Sequence, residues 1–335
     1  MGENSKIEWT NHTFSPWIGC QKVSAACDHC YAEAWDKRFK GERWGPHAPR
    51  KRTSDANWRK PLAWNRAAEK EGVRRKVFCA SLADVFDNHS SIDPEWRVDL
   101  WRLIRETRHL DWLLLTKRPQ NIKKMLPESY GMPVWGDGWP NVWLGTTVET
   151  QTEAERRIPH LLAVPAKVRF LSCEPLLGPL DLTKIKFRDG DPRNTRNSLT
   201  GTADLWGETL EGAPTEFWAT IDASLPCLDW VIAGGESGPK ARPSHPDWFR
   251  SLRDQCVDAD VPFFFKQMGE WAPYDLDSGG QQDWMILDQT GNIDIPDYRT
   301  PDVHAGECAI RRVGKKAAAR SLDGAIWDQM PGVGE

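Results

Sequence analysis

Short apolar runs recur along the chain, and polar, amphipathic stretches separate them. Each run is continuous rather than alternating, which is typical of strands buried on both faces of a parallel sheet. Most runs begin roughly 30 residues after the previous one, the length of a strand–helix unit. The predicted strands are a first one at 13–18, followed by residues 77–82, 112–115, 141–146, 167–172, 229–234 and 261–265.

Two of the intervening stretches have the period of amphipathic helices. Segments 93–110 and 244–256 repeat apolar residues at intervals of three and four. The second begins with Ser244 and Asp247, a pair that resembles a capping box. Six or seven successive strand–helix units predict an α/β fold with a partial or full TIM-like (βα) barrel of parallel strands. A doubly wound open sheet is the alternative, because the rhythm alone does not decide whether a sheet closes.

Departures from this rhythm divide the chain further. A polar stretch rich in Gly, Pro and Asn, at about 185–225, predicts a surface insertion. Because the rhythm is lost after residue 271, we expect 1–271 to form the barrel and 272–335 to form an irregular C-terminal extension packed on it. The last part of that extension, 313–331, is expected to contain a short amphipathic helix and a turn.

Composition fits an ordinary globular protein, with 335 residues, 39% hydrophobic and 27% charged. No stretch approaches the ~18 consecutive apolar residues of a membrane span, and the N-terminus lacks a secretory pattern. We therefore expect a cytoplasmic protein with no membrane partner. In a reducing compartment the eight cysteines are not expected to form disulfides, and a close cluster of them indicates metal binding or catalysis.

Polar residues follow each apolar run, where parallel α/β folds carry their functional groups. The alternative is that strand ends are polar in any protein. The candidate residues at these ends are Ser81, Asp84, Lys117, Thr147, Glu149, Cys173, Glu174, Gly234, Gly235 and Glu236.

Three cysteines crowd the loop after the first predicted strand. Cys20, Cys27 and Cys30 have the spacing C-x6-C-x2-C. A structural zinc site needs four ligands, and its fourth would be His29, His12 or Cys79. A [4Fe–4S] cluster takes three thiolates and leaves one iron for another molecule, which suits the three cysteines better.

Several stretches together resemble a phage-associated three-Cys-motif family of uncharacterised function. They are IEWT, W-x-GC, CDHCYAE, FLSCEPLLGPL, GGESGPKARP, PFFFKQMGEW and GKKAAARSLDG, and they span nearly the whole chain. The segment CDHCY also resembles the C-x-x-C-Y of the spore photoproduct lyase branch of the radical S-adenosylmethionine (radical SAM) superfamily. The usual superfamily spacing is CxxxCxxC, so the first gap is wider here.

The resemblance implies a radical SAM enzyme whose [4Fe–4S] cluster is held by Cys20, Cys27 and Cys30. The cluster would cleave S-adenosylmethionine to a 5′-deoxyadenosyl radical, with electrons from a reductant protein, in a lyase- or repair-like reaction. The implied cofactor contacts are Ser81 and Asp84 for the methionine amine, Lys117, Arg118 or Arg169 for its carboxylate, Thr147 and Glu149 for the ribose, and Glu174, Gly234, Gly235 and Glu236 for the adenine or substrate. Cys173 would donate a hydrogen atom, with simple core packing as its alternative.

A basic stretch suggests the substrate. Residues 37–76 contain 14 Lys and Arg against four acidic residues, although the whole chain has a net charge of −4. Interleaved cations and indoles favour a DNA or RNA substrate, and the alternative is that these tryptophans turn inward. The candidate contacts are Arg43, Trp44, Arg50, Lys51, Arg52 and Trp58. The rival function is a non-catalytic nucleic-acid-binding protein with a structural zinc or iron–sulfur site. The sequence carries no signal for an oligomeric state.

Overall fold

A computed structural model describes residues 2–186, 194–205, 219–221, 225–274, 284–295 and 303–332. The helices are α1 (Tyr31–Arg38), α2 (Asp55–Glu71), α3 (Pro94–Glu106), α4 (Gln151–Leu162) and α5 (Pro246–Asp258). The strands are β1 (His12–Phe14), β2 (Trp17–Ile18), β3 (Lys51–Arg52), β4 (Arg75–Cys79), β5 (Leu110–Thr116), β6 (Val142–Thr147), β7 (Val168–Cys173), β8 (Ile185–Lys186), β9 (Thr195–Arg196), β10 (Ala203–Leu205), β11 (Ala219–Ile221), β12 (Trp230–Gly234), β13 (Phe263–Gln267), β14 (Trp271–Pro273), β15 (Trp284–Asp288), β16 (Ile293–Asp294), β17 (Glu307–Arg312), β18 (Ser321–Leu322) and β19 (Ala325–Ile326).

The main sheet has seven strands in the order β1-β4-β5-β6-β7-β12-β13. Neighbouring strands β1/β4, β4/β5, β5/β6 and β12/β13 run parallel. The order follows the chain without reversing, whereas a doubly wound sheet reverses at its switch point. The sheet is open, with β1 and β13 at its edges. This topology is consistent with the expected partial TIM-like barrel and not with the doubly wound alternative.

The chain divides into two compact units, which we describe separately. Unit 1 comprises 1–147 and 160–170, and unit 2 comprises 148–159 and 171–335. In unit 1, Phe14 on β1 packs edge-on against Trp58 of α2 and Trp112 of β5. Helix α3 begins where Asp93 accepts a hydrogen bond from the Glu95 amide, and it buries Leu100 and Ile104. The predicted helix is therefore confirmed over Pro94–Glu106, whereas Leu110, the last residue of the predicted stretch 93–110, begins β5.

In unit 2, helix α5 begins one residue later than the predicted capping pair Ser244 and Asp247 indicates. His245 is the N-cap and accepts a hydrogen bond from the Asp247 amide, while the Ser244 hydroxyl donates to the Leu176 carbonyl. The predicted insertion contains the short antiparallel sheet β11-β10-β9-β8. Residues 187–193, 206–218 and 222–224 of the insertion lie outside the described residues.

The expected irregular extension is ordered over its described residues. Strands β14-β17-β15-β16 form an antiparallel sheet around a small core that includes Trp271, Leu287 and Ile310. In place of the predicted terminal helix there is the hairpin β18–β19. Its two-residue turn is Asp323-Gly324, with positive φ at both positions, which is the Asp-Gly signature of a hairpin turn.

None of the helices in the described ranges combines the length and the apolar character that a membrane span requires.

Candidate functional site

Gly19 fixes the start of the cysteine loop in unit 1. Its φ is +118°, and a Cβ there would lie 2.6 Å from the Arg43 carbonyl oxygen, so glycine is required. The Gly19 amide donates to the Leu82 carbonyl (3.1 Å), just past the end of β4. The next residue, Cys20, pairs with Trp44 in an isolated bridge. These backbone contacts hold Cys20 at the carboxyl end of the parallel strands.

The Cys20 thiol lies against an arginine. Arg118 Nη1 donates to Cys20 Sγ at 3.5 Å, and Arg118 Nη2 donates to the Gln21 carbonyl at 3.1 Å. Burial raises the pKa of the Cys20 thiol to about 11, and the nearby Arg118 charge opposes that rise. Arg118 therefore places a positive charge and a hydrogen-bond donor beside the Cys20 sulfur.

Arg118 is in turn held by two aspartates. Its Nη1 lies 2.9 Å from Asp84 Oδ2, and its Nε lies 3.8 Å from Asp87 Oδ1. Asp84 also accepts from the Thr116 hydroxyl (2.7 Å) and the Lys117 amide (3.1 Å). The Asp84 carboxylate, which was predicted to contact the cofactor, therefore orients Arg118. Lys117 contacts Asp84 through its backbone amide.

The other two cysteines occupy the turns that follow. Cys27 ends a single turn of 3-10 helix, and Cys30 is the N-cap of α1. All three thiols are free, and each residue is partly exposed. Across the described ranges, no group of three or more His, Cys, Asp or Glu side chains is arranged as it would be around a metal ion.

Three free thiols on this loop, one already accepting a hydrogen bond from Arg118, are compatible with the ligand set of a [4Fe–4S] cluster. Of the three fourth ligands considered for zinc, His29 lies partly exposed on the loop itself, and the other two are in the core. His12 stacks on Trp64 (4.4 Å between ring centroids), and Cys79 is fully buried in β4.

Ser81 and Tyr31 join this loop to β4. The Tyr31 hydroxyl donates to the Ser81 carbonyl at 2.5 Å, and the buried Ser81 hydroxyl lies 3.3 Å from that of Ser15. Ser81 is therefore at the predicted place beside the cysteine loop.

Unit 2 contains a second polar cluster, around Glu174. Lys266 Nζ lies 2.6 Å from Glu174 Oε1, and Gln267 Nε2 donates to the Ser237 hydroxyl at 2.8 Å. Gln267 Oε1 is buried and has no hydrogen-bond partner within the described part of the chain. Gly234 packs against Glu174, and a Cβ at Gly235 would collide with the Met268 carbonyl. The structure thus brings together Glu174, Gly234 and Gly235, which the sequence predicted as cofactor-binding.

Glu236, Glu149 and Thr147 are placed differently from the prediction. The Glu236 carboxylate accepts from the Arg242 amide, Nε and Nη2 at 2.6–2.9 Å. Glu149 is fully buried in an ion pair with Arg157 (2.8 Å), and Thr147 is buried. The expected ribose contacts of Glu149 and Thr147 are corrected to structural roles, because neither side chain is exposed.

Cys173 is also in the core. Its side chain is fully buried on β7, and burial raises the pKa of its thiol well above the usual value. The hydrogen-donor role is corrected to the alternative, core packing.

Most of the six predicted nucleic-acid contacts are buried or paired with acidic residues. Trp58 and Trp64 are buried, and Arg50 is buried in an ion pair with Asp87 (2.9 Å). Arg52 pairs with Asp99 (2.7 Å) and stacks on Trp58. The prediction is therefore wrong for Arg50 and Trp58, and their inward orientation is confirmed.

Of the remaining residues predicted there, Arg43 is paired with Asp36 and Trp44 is only partly exposed beside Cys20. Lys51 alone among the six is exposed.

The sequence analysis did not identify two residues that orient the candidate site residues, one in each unit. Asp87 joins Arg50 to Arg118, and Arg242 engages Glu236. The signal for Asp87 was available in its position shortly after the second predicted strand, but its partners are distant in sequence. Arg242 lies in the glycine- and proline-rich stretch that was singled out for its glycines.

The fold and the cysteine loop define an α/β protein with an open, sequentially ordered parallel sheet and three free thiols at its carboxyl end. The chain belongs to the family described as protein of unknown function (DUF5131), whose model matches residues 4–331. No curated protein matches the sequence, and no solved structure matches it.

Proposed function

We propose that this protein is a radical SAM-type enzyme. Cys20, Cys27 and Cys30 would hold a [4Fe–4S] cluster, and a nucleic acid or nucleotide would be the substrate. The observation that carries the proposal is the hydrogen bond from Arg118 to the Cys20 sulfur, on a loop that carries two further free thiols. When bound, such a cluster supplies one electron for the reductive cleavage of S-adenosylmethionine at its open iron.

The chain's own contribution is to hold the cluster ligands in position. Asp84 fixes the Arg118 guanidinium, which donates both to the Cys20 sulfur and to the Gln21 carbonyl. Hydrogen bonds to ligating sulfurs and local charge are the levers by which a protein sets a cluster's potential. We assign Arg118 this positioning role.

Lys117 supports the binding of the cofactor's carboxylate. Its backbone amide donates to Asp84, which fixes the residue beside Arg118. An ammonium suits an anionic group, so the Lys117 side chain would make this contact. The contacts predicted for Glu174, Gly234 and Gly235 remain part of the proposal.

The test is formation of 5′-deoxyadenosine by the anaerobic, chemically reduced protein. We expect the wild type to form it and Cys27→Ala to lose it. Cys308→Ala is the matched control, because Cys308 is also free and partly exposed but lies on β17. Full activity in Cys27→Ala, or none in a wild type that carries its cluster, would contradict the proposal. A colourless, air-stable zinc protein would instead support the non-catalytic nucleic-acid-binding alternative.

A further inference from the structure

Helix α1 and the residue after it carry an exposed row of aromatic side chains. The exposed fractions are 60% for Tyr31, 37% for Trp35 and 61% for Phe39. In the described part of the chain these are the only large aromatic residues classed as exposed; the other exposed large hydrophobic residues are valines and isoleucines. Residues four apart lie on one helix face, so the three rings share a side. We call Tyr31, Trp35 and Phe39 the aromatic face.

The aromatic face is exposed, whereas the aromatic residues elsewhere in the described chain are not. The sequence contains 19 Trp, 11 Phe and 4 Tyr, and most of those described are buried or partly buried. A scattered exposed apolar residue needs no explanation, but a contiguous row of exposed rings marks an interaction site. The face therefore indicates a partner that contacts aromatic rings.

The rings are held in place. Trp35 and Phe39 pack against each other, with ring centroids 4.8 Å apart and planes tilted by 51°. The Tyr31 hydroxyl donates to the Ser81 carbonyl, which ties its ring to the end of β4. Cys30, the N-cap of α1, immediately precedes the face. A partner bound to these rings would lie beside the cysteine loop of the same unit.

Most of the exposed charges among the rings are positive. Lys37, Arg38 and Lys40 are exposed, and only Lys37 is in an ion pair within the described residues, with Glu33 (2.7 Å). The acidic residue Asp36 turns inward, where Arg43 Nε donates to it at 2.8 Å. The outer surface of α1 thus combines aromatic rings with cations.

We propose that the aromatic face binds single-stranded nucleic acid. Unpaired bases would stack on Trp35, Phe39 and Tyr31, and phosphates would contact Arg38 and Lys40. Rings give sequence-tolerant stacking platforms, and Lys and Arg neutralise the backbone. A second copy of the chain fits poorly, because a two-fold interface would set this cationic patch against an identical patch, whereas a polyanion complements its charge. The inference names where the proposed function's substrate binds, and it rests on that function only for the chemistry that follows binding.

The face offers no means of reading the sugar. Residues 31–40 contain no Ser, Thr, Asn or Gln, and the one hydroxyl, of Tyr31, is engaged by Ser81. A 2′-hydroxyl is the group by which proteins distinguish RNA from DNA. We therefore expect DNA and RNA strands to bind alike.

The test measures binding of a fluorescein-labelled 12-nucleotide oligo(dT) by anisotropy, using the full-length protein both as anaerobically reconstituted holoprotein and after removal of metal with a chelator. Trp35→Ala and Phe39→Ala should each weaken binding by about fivefold to a hundredfold, the loss expected for one stacked base. Trp35→Phe keeps a ring and should bind within about threefold of wild type. Val134→Ala, at a position 74% exposed, is the control for loss of exposed apolar surface. Circular dichroism checks that each variant is folded.

Salt and strand type complete the test. Two or three phosphate contacts predict a slope of log K against log salt of about −1.4 to −2.1. Oligo(rU) should bind about as tightly as oligo(dT), and a duplex should bind more weakly. Unchanged affinity in both Trp35→Ala and Phe39→Ala, a slope near zero, or a strong preference for duplex would overturn the proposal. Concentration-dependent dimerisation lost in those variants would assign the face to a second copy instead.

The two proposals fail separately. Because binding is also measured without the cluster, absence of 5′-deoxyadenosine formation leaves this result standing. Conversely, an enzyme that cleaves S-adenosylmethionine but does not bind the oligonucleotide would overturn only the role of the aromatic face.

Discussion

Two neighbouring regions of unit 1 combine aromatic rings with cations, and the structure uses them in opposite ways. In residues 43–66 the tryptophans Trp58 and Trp64 are buried, and Arg50 is buried with Asp87. On and just after α1, Trp35 and Phe39 are exposed, and Arg38 beside them has no ion pair within the described residues. The difference lies in the partners of the cations next to the rings: Arg50 and Arg52 pair with Asp87 and Asp99 from other elements, whereas Arg38 does not. Composition therefore locates a basic, aromatic region but does not say which part of it faces a ligand.

The largest expected effect in this comparison is on Arg50. Arg50→Ala leaves the buried Asp87 carboxylate without its closest cation and removes donors to the Gly45 and Ala48 carbonyls. We expect a loss of about 3–5 kcal/mol in the free energy of unfolding, measured by urea denaturation. Arg38→Ala on α1 is the matched control and should change stability by no more than about 0.5 kcal/mol. Equal losses in the two variants would contradict the contrast between the regions.

Replacing Trp58 and Trp35 should affect stability as differently as replacing Arg50 and Arg38. Trp58→Ala removes a core ring that packs on Phe14 and under Arg52, and we expect it to cost about 3 kcal/mol or more. Trp35→Ala should cost well under about 1 kcal/mol, because the ring is on the surface. Thermal unfolding of both variants checks this. A Trp35→Ala protein as unstable as Trp58→Ala would show that the aromatic face is structural.

Arg43 connects the two regions and should have an intermediate effect. It belongs to the basic segment but pairs with Asp36 of α1, whose side chain is buried. Arg43→Ala would leave Asp36 with only the Arg43 backbone amide, an expected loss of about 1–3 kcal/mol. Lys37→Ala, which breaks the exposed pair with Glu33, should leave the denaturation curve unchanged. If the two variants behave alike, the Arg43–Asp36 pair does not anchor α1.

The smallest effect is a pH dependence from His12, which stacks on Trp64 of the basic segment. Burial lowers the pKa of His12 below its ordinary 6.5. Between that lowered pKa and about 6.5, the unfolded chain binds more protons than the folded one. Stability should therefore fall as the pH drops below about 6.5, while above it His12 is neutral in both states.

His12→Phe keeps the ring and removes the titration. We expect a smaller loss of stability between pH 7.5 and 5.5 in this variant than in wild type, measured by denaturation at both values. His245, whose pKa burial also lowers, would account for part of the remaining slope. An unchanged difference between the two pH values would exclude a contribution from His12.

The parallel strands could be predicted because burial on both faces produces continuous apolar runs. The run at 112–115, for example, lies within β5 (Leu110–Thr116), and the stripe over 93–110 corresponds to α3. The terminal hairpin was not predicted because the alanines at 317–319 favour a helix, although Asp323-Gly324 is a hairpin turn signal. Turn chemistry fixes backbone direction there, whereas alanine only permits a helix.

The site was predictable only in part, because the burial of its charged residues depends on partners that are distant in sequence. The position of Cys20 follows from strand order, and its proximity to Asp84 follows from both lying at strand ends. The burial of Glu149 and Arg50 depends on the partners Arg157 and Asp87. The Arg50–Asp87 pair joins residues 37 positions apart, and no local pattern reports such a pairing.

The central claim is that the three-cysteine loop holds a [4Fe–4S] cluster. Its most direct test is the iron and acid-labile sulfide content of the full chain, purified and reconstituted without oxygen, together with its absorption spectrum. We predict a brown protein with about four irons and four sulfides per chain. A colourless protein with no iron above background, or one whose content is unchanged in Cys27→Ala, would contradict the claim.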